Sequence, residues 1–93
     1  MADSGTSPIS ENFESLSREV RVDSLRNVLE TLQIADEIAK QGYLITSSEL
    51  ADLMDVNASA VTSRGESWAW RNWSVLRVRR EGNQILWQIE RID

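Results

Sequence analysis

Residues 47–65 read SSELADLMDVNASAVTSRG, and this stretch decides the fold. It is preceded by Thr46, so Thr46-Ser47-Ser48-Glu49 has the S/T-x-x-E form of a capping box. The Thr46 hydroxyl can accept from the amide of Glu49, and the Glu49 carboxylate can accept from the amide of Thr46. The spacing predicts a helix over Ser47–Met54, with Leu50, Leu53 and Met54 apolar. Asp55-Val56-Asn57 then reads as a tight turn, and Asn57 is a good N-cap for a second helix. That helix is expected over 57–67. Ala58, Val61, Gly65 and Trp68 fall on one face of it, and Ser59, Thr62, Ser63 and Glu66 on the other.

Upstream, the pattern from Val22 to Gln41 is helical. Leu25, Leu29, Leu32, Ala35 and Ala39 recur at steps of three and four, and Val28, Ile34 and Ile38 widen the stripe. So wide a stripe has two readings. The helix is the central, mostly buried helix of the domain, or part of the stripe, with Val28 and Ile34, forms a homodimer contact through helix 22–41. Gly42 supplies a stop, and Tyr43-Leu44-Ile45 reads as a very short strand. Residues 1–19 are rich in Ser, Thr, Gly, Pro, Asp and Glu and are expected to be a disordered tail. Residues 20–93 form the expected domain.

Downstream, the period falls to two. Gly82-Asn83 fits a two-residue hairpin turn with glycine first. That register pairs Arg80 with Ile85, Val78 with Trp87 and Leu76 with Ile89 on a largely apolar face. It pairs Arg79 with Leu86, Arg77 with Gln88 and Val75 with Glu90 on a largely polar one. The expected fold class is mainly α with a small antiparallel β-hairpin, in the order α-(β)-α-α-β-β.

Composition narrows the function classes. A chain of 93 residues with 41% hydrophobic content suffices for one small core. There is no cysteine and no histidine, so disulfides, thiolate metal sites and the usual neutral-pH base are excluded. Lys40 is the only lysine, and no Gly-rich phosphate loop occurs. No catalytic residue, metal, cofactor or small-molecule substrate is expected, and the chain is not read as an enzyme. No apolar run reaches the roughly 18 residues of a membrane span, and Met1–Ser10 lacks the features of a signal peptide. A reducing, cytoplasmic setting is expected. The net charge is −5, unevenly placed. Residues 57–93 carry six arginines against four acidic residues, +2, while residues 31–56 carry Lys40 against five acidic residues, −4. A basic C-terminal part on an acidic body can orient a protein on a polyanion.

The stretch 47–65 resembles the helix-turn-helix of winged-helix DNA-binding domains in bacterial transcriptional regulators. Ala51 stands where the family has a small residue, because a larger side chain would hold the two helices apart. Val56 follows the turn and plugs the core, and Val61 faces inward five residues later. Asp55 departs from the glycine usual at the turn, but Asp tolerates a left-handed conformation. The resemblance implies duplex DNA as partner and a role in transcription regulation. Helix 57–67 would lie in the major groove, presenting Asn57, Ser59, Thr62, Ser63 and Arg64. Arg71 and the hairpin residues Arg77, Arg79 and Arg80 would contact phosphates. The alternative is a winged helix used as a protein-interaction or dimerisation module. Four tryptophans bear on that choice. Trp87 and Trp68 are expected in the core, whereas Trp73 either packs under the tail or helix one or anchors a partner.

Overall fold

The computed structural model describes residues 17–92. Its elements are α1 (Arg18–Gln41), β1 (Ile45–Thr46), α2 (Ser47–Met54), α3 (Ala58–Thr62), β2 (Ser67–Trp70), β3 (Trp73–Glu81) and β4 (Gln84–Arg91). Among the described residues, three helices stand beside one four-stranded antiparallel sheet of order β1-β4-β3-β2. The domain is thus mixed α/β. The expected small hairpin is the centre of a larger sheet. No helix of the described residues is long and apolar enough to cross a membrane.

α1 begins four residues earlier than its apolar spacing suggests. Ser17 is extended and its hydroxyl accepts from the Val20 amide at 3.3 Å. Glu19 lies in the first turn, where the helix dipole favours an acid. Residues 1–16 of the expected tail lie outside the described residues, while Ser17–Glu19 form the cap and first turn. Gly42, at φ 70°, ends the helix, and the Tyr43 amide reaches back to the Ile38 carbonyl at 3.1 Å. α1 is not the central buried helix. Only Ala35 is fully covered, with Leu32, Ile38 and Ala39 packed beside it. A 24-residue helix is roughly 36 Å long, and its first half runs past the body, leaving Leu25 65% and Leu29 53% exposed.

The turn between α2 and α3 forms as its residues dictate. Both capping-box bonds are made, Glu49 amide to Thr46 Oγ1 at 3.1 Å and Thr46 amide to Glu49 Oε1 at 2.8 Å. Asp55 is left-handed (φ 61°, ψ 48°), which lets the Val56 amide bond the Ala51 carbonyl at 3.0 Å. A β-carbon in that conformation is strained, and the carboxylate sits at the wrong end of the α2 dipole. Asp55→Gly is therefore expected to leave stability unchanged or raise it by up to about 1 kcal/mol in urea melts. A clear loss would show that the Asp55 side chain itself holds the turn.

α3 spans Ala58–Thr62, not 57–67. Two local effects shorten it. The Ser63 hydroxyl donates to the Ala60 carbonyl at 3.2 Å, while the Arg64 amide, which would continue the helix there, turns to the Val61 carbonyl at 3.3 Å. Gly65, at φ 96°, then turns the chain out of helical space. Trp68 consequently lies in β2, paired with Val75, rather than on a helix.

The hairpin keeps the expected register at its tip, with Glu81 opposite Gln84, Arg80 opposite Ile85 and Arg79 opposite Leu86. Gly82 has φ 61° and Asn83 does not share a positive φ, as a glycine-first turn requires. Below the tip the register shifts between Arg77 and Arg79, leaving Val78 as an extra residue. From there Arg77 opposes Trp87, Leu76 opposes Gln88, and Val75 opposes Ile89. The expected pairs of Val78 with Trp87, Leu76 with Ile89, Arg77 with Gln88 and Val75 with Glu90 do not form. The shift reverses the parity of β3. It buries Trp73 and Val75 instead of Leu76 and Val78, and so removes the larger apolar pair from water.

The core comprises Ala35, Leu50, Ala51, Val61, Trp73, Val75, Trp87 and Ile89. Trp87 meets the half-buried Trp68 edge-on at 6.0 Å, and its Nε1 donates to Ser47 Oγ at 2.8 Å, tying β4 to the start of α2. Arg91 on β4 donates to Asp36 on α1 at 2.7 Å. Both side chains are exposed, so the pair contributes about 0–1 kcal/mol.

Candidate nucleic-acid interface

Val61 plugs the core, and that anchor turns the opposite side of α3 to solvent. Ser59, Thr62 and Ser63 are all exposed there, and Asn57, one residue before the helix, is exposed without a side-chain capping bond. The Thr62 and Ser63 oxygens lie 3.2 Å from main-chain carbonyls, and both exposed hydroxyls can turn to accept from or donate to a ligand. This face is a row of short hydroxyl side chains. The Asn57 amide supplies donors beside it.

Arg64 follows α3 closely. Its guanidinium lies 5.0 Å from the centre of the Trp68 ring, a cation–π placement that restrains an exposed side chain. Two residues on, the Glu66 carbonyl accepts from the Arg77 amide at 2.8 Å. This bond fixes the exit of α3 to the base of the β3–β4 hairpin.

β1 pairs with β4 only as far as Leu86, and β2 with β3 only as far as Leu76. Leu86 faces Arg79, so beyond Arg79 the hairpin is a two-stranded ribbon standing clear of the sheet. Arg77 and Arg79 at its base and Arg80 on the ribbon are all exposed. Arg79 is held by Glu81 at 2.8 Å, and among the described residues Arg77 and Arg80 have no acidic partner. Three arginines against Glu81 give residues 77–86 a charge of +2 in a chain of −5. The bulge at Val78 places Arg77 and Arg79 on successive paired positions of one strand.

Arg71 does not join this group. It occupies the β2–β3 turn at φ 53°, at the end of β3 opposite the hairpin tip, with its guanidinium 6.0 Å from the Trp70 ring. A cleft of about 470 Å³ adjoins it, lined also by Asp52, Asp55, Asn27 and Val28. That cleft is acidic, and a phosphate there would meet two carboxylates.

Of the expected protein-contact residues, Val28 and Ile34 are exposed on α1. Trp73 is 2% exposed, stacked on Trp70 at 5.5 Å, and is a core residue with no surface for a partner. The expected register put Val75, and with it Trp73 two residues before, on the polar face, and the Val78 bulge reverses that parity. Sequence reasoning misses Leu25 and Leu29 as contact candidates, although they are more exposed than Val28. The signal is their three- and four-residue spacing, which marks a stripe without telling what covers it. Comparison of the chain with protein-family models, with curated proteins and with solved structures found no match.

Proposed function

We propose that the domain is a winged helix-turn-helix module that binds duplex DNA, in a role of transcription regulation. The exposed face of α3 meets the major groove, and the β3–β4 hairpin acts as the wing on the phosphate backbone. The observation that carries this reading is the 2.8 Å bond from the Arg77 amide to the Glu66 carbonyl, which sets the arginine-bearing hairpin beside the exit of α3. A polar face and a basic hairpin held in fixed relation suit a groove and its flanking phosphates. Phosphate contacts release counterions, so affinity must fall with salt. Arg79→Ala with Arg80→Ala is expected to weaken binding about equally on all sequences and to flatten the log–log salt slope by up to about two units. Fluorescence anisotropy on a labelled duplex measures this. An unchanged slope would take the wing off the DNA.

The reading face gives a separate outcome. Thr62 and Ser63 are short, exposed hydroxyl residues that suit base-edge donors or acceptors, and the Thr62 methyl suits a thymine methyl. Thr62→Ala with Ser63→Ala is expected to change preference at one or two base pairs by about 1 kcal/mol each. Fold stability should stay within about 0.5 kcal/mol, since both residues are exposed. Selection from a random duplex library, run on wild type and variant, reads the difference. Identical enriched sequences from both would remove this face from base reading.

A further inference from the structure

The first half of α1 carries an apolar face that no part of its own chain covers among the described residues. Leu25 and Leu29 are exposed, Val22 is half-buried, and Leu32, where the face meets the domain body, packs in part on the core. The uncovered first half spans about a dozen residues, a length at which an unsupported helix is marginal in water, so cover along this face stabilises it. The residues on it are Arg18, Val22, Leu25, Leu29, Leu32 and Asp36, spaced 4, 3, 4, 3 and 4. That is the a/d spacing of a two-helix seam.

The order of these residues specifies the occupant. Read in the opposite direction, the spacing is the same, and the charged ends exchange sign. Two copies laid antiparallel place Arg18 against Asp36 at both ends. Between those ends, Val22 faces Leu32 and Leu25 faces Leu29, giving four apolar layers. A parallel pair would instead set Arg18 on Arg18 and Asp36 on Asp36. The stretch is close to neutral as well: residues 18–36 hold three arginines and four acidic residues, −1. A self-complementary face with so little net charge suits a copy of itself better than a strongly charged partner.

We infer that the chain forms an antiparallel homodimer through residues Arg18–Asp36 of α1. The groove beside Leu32 and Asp36, bordered by Asn72, Trp73 and Arg91, has a volume of about 250 Å³ and receives the first helical turn of the second copy. Asp36 already takes one guanidinium, that of Arg91, at 2.7 Å, and a carboxylate accepts further donors. The dimer is independent of the DNA-binding reading, and either can fail without the other.

Analytical ultracentrifugation of the full chain tests the inference. The expected mass is twice the 10.6 kDa of one chain. Leu25→Glu with Leu29→Glu should sediment as a monomer while tryptophan fluorescence shows an unchanged sheet, because neither side chain packs on the core. Arg18→Asp should weaken the dimer at least several-fold by setting two carboxylates together at each end, while Arg18→Lys should keep it. A chain that stays monomeric at high concentration would overturn the inference and point to residues 1–16 as the cover. A dimer that the two glutamates leave intact would overturn it too, by placing the contact elsewhere. A dimer that Arg18→Asp leaves as tight as before would overturn the antiparallel arrangement.

Discussion

Trp87→Ala is expected to lower the stability of the domain by about 3–5 kcal/mol. The indole is 1% exposed and stands at the centre of the sheet, opposite Ile45 on one side and Arg77 on the other. Its removal leaves a cavity that Trp68, Leu50 and Ile89 cannot fill without strand movement. It also releases the Ser47 hydroxyl from its 2.8 Å bond. Small domains hold roughly 5–15 kcal/mol in all, so the variant should be close to unfolding at room temperature. Ser47→Ala separates the two contributions. It keeps the packing, leaves the Trp87 Nε1 proton without its partner, and should cost about 1–3 kcal/mol. Urea melts followed by circular dichroism measure both. A Trp87→Ala variant that loses less than Ser47→Ala would mean that Trp87 is not the centre of the core.

Ala51→Leu is the second large effect. Ala51 is 3% exposed on α2, and its carbonyl takes the Val56 amide at 3.0 Å where the chain turns into α3. The added carbons must enter the contact between α2 and α3 or push α3 away from its place in the core. The expected loss is about 1–3 kcal/mol. In the DNA-binding reading, the same displacement shifts α3 relative to the wing, so affinity should fall under conditions where the variant remains folded. A melt unchanged from wild type would show that α2 and α3 do not approach closely at this residue.

The elements legible in the sequence are those fixed by neighbours along the chain. Thr46 and Glu49 cap α2 because each reaches the other's amide within one turn. Asp55 takes the left-handed conformation because the helix must end there and few side chains tolerate it. Gly82-Asn83 closes the hairpin for the same local reason. The illegible features depend on partners far along the chain. Arg77-Val78-Arg79 alternates equally well in either register, and nothing local marks Val78 as the extra residue. The burial of Trp73 against the helices decides it. Ser67–Trp70 falls into helical spacing with Val61 by coincidence, and its strand exists because β3 offers an edge to pair with. The apolar stripe of α1 is plain, but a stripe records what needs cover and not what supplies it. Within the candidate site, the exposure of Ser59, Thr62 and Ser63 and of the hairpin arginines is legible from their positions around the turns. Arg71 is not, because only the sheet shows that it sits at the far end of β3, beside Asp52 and Asp55.

The arginine hairpin and the face of α3 bind duplex DNA together in this reading. Its most direct test is the affinity of the full chain for a random-sequence duplex as salt is raised. Three phosphate contacts per chain, from Arg77, Arg79 and Arg80, predict a log–log slope of about −2.7 and thus roughly a 40-fold loss between about 50 and 200 mM salt. Absence of binding at the lowest salt, or binding that does not change with salt, would contradict it.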